Sequence, residues 1–223
     1  GDGFYKFTYE DGKYQLNYQD VTKQQVLDIL EDINNQYLVT EYINMCDELK
    51  AVYDGAVNTV RMIVFKKDGK NPQIGNAYVR FGSKKTGAVD NVGAGGMTAT
   101  IDVATGHFHD AKIVMNNSIE DCPIHPDTGV PIDGYLPHWE QVKQQVLDVT
   151  KSIKQLEFFG VDLAVTNDGI KFPEINRFPD YPAVEKYTKP TREYLLYKLA
   201  GKKHHYGYDV TPNKTLVHLP KRD

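Results

Sequence analysis

Cysteine is scarce: Cys46 and Cys122 are the only two thiols in 223 residues, which excludes a disulfide-stapled secreted scaffold. Long hydrophobic runs are missing as well, since no stretch approaches the ~20 apolar residues of a bilayer span, and no segment reads as a signal peptide. A cytoplasmic location is the default expectation. Positive charge is not in excess: 26 Lys and Arg against 30 Asp and Glu leave a net −4, so nothing global attracts nucleic acid. An anionic substrate must therefore be met by a local basic patch. Repeats and low-complexity tracts are absent.

What remains is a globular composition. With 40% hydrophobic and 25% charged residues the chain fits a folded protein better than a disordered one. Its length suffices for one large domain or two small lobes with a substantial core. It starts at Gly1-Asp2-Gly3 without an initiator methionine and enters a strand within a few residues, which reads as a fragment of a longer protein.

The periodicities alternate along the chain. Residues 4–8 and 13–17 read as strands joined by the turn Tyr9-Glu10-Asp11-Gly12. Asp20 reads as the N-cap of a helix with Val26, Leu27, Leu30 and Ile33 on one face. Residues 37–43 read as a strand, and the polar stretch 44–48 marks the boundary between a small N-terminal lobe, 1–43, and a larger one, 44–200. The larger lobe has strand patterns at 57–65, 74–81, 97–103 and 111–115. Between them, residues 82–96 form a glycine-bearing connection of a length that often carries function. A proline-punctuated crossover spans 123–137. Trp139, Val142, Val146, Val149, Ile153 and Leu156 then describe an amphipathic helix whose stripe is core. Residues 189–200 read as a last helix stopped by Gly201, and 201–223 as a polar tail.

The most informative segment is the hairpin of residues 160–176. Asn167-Asp168-Gly169 is a hairpin-loop sequence. If all three residues form the loop, Thr166 pairs with Ile170, Asp162 lies directly opposite Glu174, and Asn176 follows on the same face. These are hard oxygen donors of the kind Mg²⁺ takes. A two-residue loop at Asp168-Gly169 would set Asp162 against Ile175 and send the carboxylates to opposite faces. The competing reading is an ordinary hairpin with polar residues facing water.

Several segments in order, Val39-Thr40-Glu41-Tyr42-Ile43, Asn58-Thr59-Val60-Arg61, Val79-Arg80-Phe81-Gly82, Val89-Asp90-Asn91 with Gly95-Gly96, Asp162, and Glu174-Ile175-Asn176, resemble ATP-grasp enzymes. The resemblance is to the sugar-transfer-associated ATP-grasp proteins of bacterial polysaccharide biosynthesis and runs to about Pro182. It implies an α+β fold in which two lobes with antiparallel sheets grip a nucleotide cleft. It implies ATP and Mg²⁺ as cofactors, with Glu41, Tyr42 and Ile43 holding adenine, Glu48 the ribose, and Asp162, Glu174 and Asn176 the metal. Arg61 and Arg80 would hold phosphate or carboxylate, since a guanidinium presents two parallel donors. Asn58 would orient Arg61 or a phosphate. The family's phosphate-binding lysine, which precedes its glycine-rich loop, would lie upstream of Gly1.

The reaction implied is activation of a carboxylate as an acylphosphate, followed by attack of an amine or other nucleophile. It needs no Ser-His-Asp or Cys-His arrangement, so His107, His109, His125 and His138 are not required. The alternatives are a non-catalytic nucleotide- or sugar-binding module on the same fold and, further off, a metal-dependent phosphohydrolase.

Overall fold

The computed structural model describes residues 4–32, 38–66, 69–115, 118–177, 179 and 191–195. The chain folds as α+β with two antiparallel sheets. The small sheet has the order β1 (Phe7–Glu10), β2 (Lys13–Leu16), β3 (Gln19–Val21). Asp11-Gly12 makes the expected turn, but the first strand starts later than the sequence pattern implied. Asn17-Tyr18 makes a second tight turn, with φ of 47° and 69°. That turn type prefers glycine at its second position, so Tyr18 carries strain that its hydroxyl helps to offset. The hydroxyl donates to the Gly55 carbonyl at 2.8 Å and accepts from Lys6 Nζ at 3.2 Å.

Helix α1 (Lys23–Asp32) is capped by Thr22 rather than Asp20. Thr22 Oγ1 accepts from the Gln25 amide at 3.2 Å while Gln25 Oε1 accepts from the Thr22 amide at 2.8 Å, a reciprocal capping box. Asp20 lies in β3 and accepts from Gln15 Nε2 at 2.9 Å. No residue of α1 is buried, and Ile33 lies outside the described residues.

Residues 38–43 of the strand expected at 37–43 join no ladder, and Leu38 and Val39 stand 87% and 78% exposed. The segment is fixed at its far end instead. The Cys46 amide donates to the Val165 carbonyl at 2.8 Å and the Asp47 amide to Asn167 Oδ1 at 3.1 Å. The polar stretch that follows enters helix α2 (Asp47–Val52).

The large sheet has eight strands. Its path runs β11 (Gly169–Asn176), β10 (Phe158–Thr166), β4 (Val60–Lys66), β5 (Pro72–Phe81), β6 (Met97–Ile101), β7 (His107–Met115), β8 (Ser118–Asp121), and β9 (Gly134–Tyr135) pairs with β7. One face is apolar by strict alternation: Val60, Met62 and Val64 beside Val161, Leu163 and Val165. It packs under α2 and under α3 (Trp139–Ser152), whose Trp139, Val142 and Val146 are buried as the helical stripe predicted. Val149 of that stripe is 39% exposed. Burying each large side chain of this layer contributes ~1.5–3 kcal/mol. At one end of the opposite face, the Tyr194 ring lies 4.9 Å from Phe65 and 5.8 Å from Phe158. Tyr194 belongs to a helical stretch at 191–195, inside the expected last helix; the tail 201–223, with its His204-His205 pair, lies outside the described residues.

Cys46 is fully buried. Burial, with the Glu48 charge adding to it, pushes its thiol up to about 12, and burial also raises Cys122. At pH 8 only ~1 in 10⁴ Cys46 thiols is therefore ionised. Labelling with Ellman's reagent is expected to modify the half-buried Cys122 first and Cys46 only on unfolding; prompt native labelling of both would show that the α2 layer opens. Among the described residues no helix is long and apolar enough to cross a membrane.

Candidate functional site

The hairpin reaches the expected pairing by an unexpected route. Its loop is Asn167-Asp168, not three residues, and Thr166 pairs with Gly169. A bulge between Asp162 and Ala164 then absorbs one extra residue of β11, at Phe172-Pro173, and restores Asp162 opposite Glu174 and Gly160 opposite Asn176. Proline cannot donate to a ladder, and here it sits at a bulge of an edge strand, the two places where that costs least.

The pairing continues inward, from Asp162 to Arg61 and from Arg61 to Tyr78. Glu174, Asp162, Arg61 and Tyr78 therefore form one row across four strands, on the face opposite the core. Asp162 is 2% exposed. Its Oδ1 accepts from Arg61 Nε, and its Oδ2 accepts from Arg61 Nη2 at 2.8 Å and from Arg80 Nη2 at 2.9 Å. With its amide oxygen turned to Arg61, Asn176 accepts from Arg61 Nη2 at 3.1 Å and donates to Glu174 Oε1 at 2.8 Å. Gly160 makes room for this arrangement, because a Cβ there would stand 2.7 Å from Pro179 Cβ and 3.0 Å from Arg61 Cδ.

Burial works against the charge of Arg61, but the hydrogen-bonded Asp162, with Tyr78 and Glu174 nearby, keeps its pKa above the ordinary value. Arg80 is held from the other side. Its Nη2 and Nε donate to Thr59 Oγ1 at 2.5 and 3.1 Å, and its Nε lies 3.5 Å from Asp90 Oδ2. Asp90 accepts from the Thr59 amide at 2.8 Å and hydroxyl at 2.5 Å. Burial pushes the Asp90 carboxyl up, against the pull of Arg80 and Thr59. Asp90, on the connection 82–96, thereby ties that loop to the start of β4. Thr59 escaped the sequence reading, although it shares Arg61's face two residues earlier.

A cavity of about 870 Å³ lies at the turn end of the hairpin. Glu41, Tyr42 and Ile43 line it together with Ile170, Phe172 and Pro173. The structure thus brings Arg61, Arg80, Asp162, Glu174 and Asn176 together, while Glu41, Tyr42 and Ile43 line a cavity that none of these five lines. Glu48 is exposed on the first turn of α2 and does not line the cavity. Asn58 does not join the cluster. Its Nδ2 donates to the carbonyls of Tyr53 at 2.6 Å and Leu49 at 3.3 Å, and its Oδ1 accepts from the Gly82 amide at 3.1 Å. Its contacts are those of a buried staple between α2, β4 and the loop after β5.

The donors fit Mg²⁺ in kind, being two facing carboxylates and an amide oxygen, although no group of three or more His, Cys, Asp or Glu forms a metal cluster among the described residues. Two guanidinium groups already neutralise Asp162. A cation alone would meet them at close range, so it fits only together with an anion that draws the arginines away.

The family model described as sugar-transfer associated ATP-grasp matches residues 13–183. Searches of curated proteins and of solved structures gave no match. The matched span contains the connector, both arginines and the whole acidic hairpin, and the chain belongs to the sugar-transfer-associated ATP-grasp family.

Proposed function

We propose that this chain carries the nucleotide and metal site of an ATP- and Mg²⁺-dependent ligase that activates a carboxylate for attack by an amine or other nucleophile in cell-surface polysaccharide biosynthesis. The observation that carries the reading is Asp162, held by Arg61 and Arg80 and facing Glu174. The lobes 1–43 and 44–200 would grip the nucleotide, with the main chain of Tyr42 and Ile43 and the carboxylate of Glu41 reading the adenine edge. Ile170 and Phe172 offer the apolar surface that a base covers.

Asp162, Glu174 and Asn176 would hold Mg²⁺, which neutralises phosphate charge when bound. Arg61 and Arg80 bind and orient the anions. Each guanidinium now rests on Asp162 and turns to a phosphate or carboxylate oxygen when one arrives. A substrate carboxylate oxygen then forms a bond to the γ-phosphorus as the bond to ADP breaks. The nucleophile next attacks the acyl carbon, inorganic phosphate leaves, and the nucleophile's proton passes to solvent. Positioning and fixed charge do most of the work.

Calorimetric titration with a non-hydrolysable ATP analogue tests this reading. Nucleotide and Mg²⁺ are expected to bind together, each strengthening the other, while Mg²⁺ alone binds weakly because of the two guanidiniums. No nucleotide binding, either by this chain or by an N-terminally extended protein, would sink it. A binding module without turnover is the alternative; the saturation of Asp162 by arginines favours it to the extent that those pairs persist with nucleotide bound. ADP release on adding a carboxylic acid separates the two.

A further inference from the structure

The row of cross-strand neighbours does not stop at Tyr78. Tyr78 pairs with Thr100, and Thr100 pairs with His109. Strand β7 has one extra residue here, with Asp110 at φ 50°. The bulge leaves Phe108 and Ala111 both in the core, 1% and 3% exposed, and puts His109 and Lys112 on the face that holds Arg61 and Arg80. On that face the His107 ring lies 4.8 Å from His109, and Tyr135 stacks on His107 at 4.6 Å with the planes 18° apart. Tyr135 is 60% exposed. Asp133 Oδ1 lies 3.1 Å from His107 Nε2, and Asp110 Oδ2 lies 2.9 Å from His109 Nδ1.

An exposed ring stack flanked by carboxylates matches a sugar: the apolar C–H face of a pyranose covers the rings while its hydroxyls donate to the carboxylates. We propose that His109, His107 and Tyr135, with Asp110 and Asp133, form the acceptor subsite and bind a ring of a neutral saccharide. The proposal rests on the nucleotide reading above, because it places the acceptor on the same face as Arg61. His109 stands three strand spacings from Arg61, about 14 Å at ~4.8 Å each. A ligand that touches both is a chain of sugar units. Lys112, which follows Arg80 across the next row, is paired with Asp121, so the carboxylates of Asp110 and Asp133 set the charge at the stack and favour a neutral saccharide.

The probes are a tetrasaccharide of alternating glucuronic acid and N-acetylglucosamine and the neutral cellotetraose. Saturation-transfer NMR and calorimetry are run on the chain with the ATP analogue present. The neutral tetrasaccharide is expected to bind more tightly than the acidic one. Tyr135→Ala should weaken it about tenfold. Val149→Ala, on the far side of α3, should leave it within about twofold. Nucleotide affinity should be unchanged in both variants. Nucleotide binding without saccharide binding overturns this proposal alone, and saccharide binding without nucleotide binding overturns the ligase reading alone. Saccharide binding that ignores Tyr135→Ala, or that prefers the acidic chain, also overturns the proposal.

Discussion

Asp162→Ala is expected to lower the free energy of unfolding by ~3–5 kcal/mol, measured by urea denaturation, because it strips a buried charge cluster of its anion. The carboxylate is 2% exposed, and Arg61, its closest partner, is 7% exposed. With Asp162 gone, Arg61 keeps the desolvation cost of its position without the hydrogen bonds that offset it. Arg80 suffers less, since its side chain is 19% exposed and keeps Thr59 and Asp90. The double variant Asp162→Ala with Arg61→Met should therefore lose less than the sum of the two single changes, because it removes the stranded charge as well. Additive losses would mean that the pair is not coupled as the geometry states. Loss of activity in Asp162→Ala alone says little about chemistry, because folding and function fail together.

Glu174→Gln separates them. Glu174 is exposed on the edge strand and anchors nothing in the core, so stability should stay within ~0.5 kcal/mol. Asp162 and Asn176 accept from Arg61, whereas the Glu174 carboxylate accepts from the Asn176 amide. Removing its charge should weaken the Mg²⁺ dependence of nucleotide binding by ~100-fold. Calorimetry at graded Mg²⁺ concentrations reads this directly, and an unchanged Mg²⁺ dependence would remove Glu174 from the metal set. The contrast between a buried acid whose loss unfolds the protein and an exposed acid whose loss spares the fold is itself the signature expected of this row.

Much of this was legible in the residues. Period-two alternation of Val60, Met62 and Val64 and of Val161, Leu163 and Val165 reports two strands with one apolar face. Helical spacing of Trp139, Val142 and Val146 reports what covers that face. Local rules failed where a competing local partner or a missing neighbour decided the outcome. Asp20 resembles an N-cap, but Thr22 with Gln25 forms the reciprocal pair and wins. Val39 and Tyr42 have strand propensity, yet propensity without an adjacent strand forms no ladder, and residues 38–42 stay exposed. Tyr18 in a turn that favours glycine was invisible, because the hydrogen bond to Gly55 that stabilises it lies 37 residues away in sequence.

The site divides the same way. The residue types, two acids, an amide and two arginines on neighbouring strands, were determined by the sequence alone, and so was the family, because ordered motifs survive without coordinates. Which of them touch was decided only by the tertiary structure. The loop by itself would have put the hairpin one residue out of step, and the bulge at Phe172-Pro173 restores Asp162 to Glu174. The bulge at Asp110 likewise turns His109 and Lys112 toward the arginines. A side-chain period of two makes every face assignment depend on single-residue shifts, and such shifts are set by packing across strands far apart in sequence.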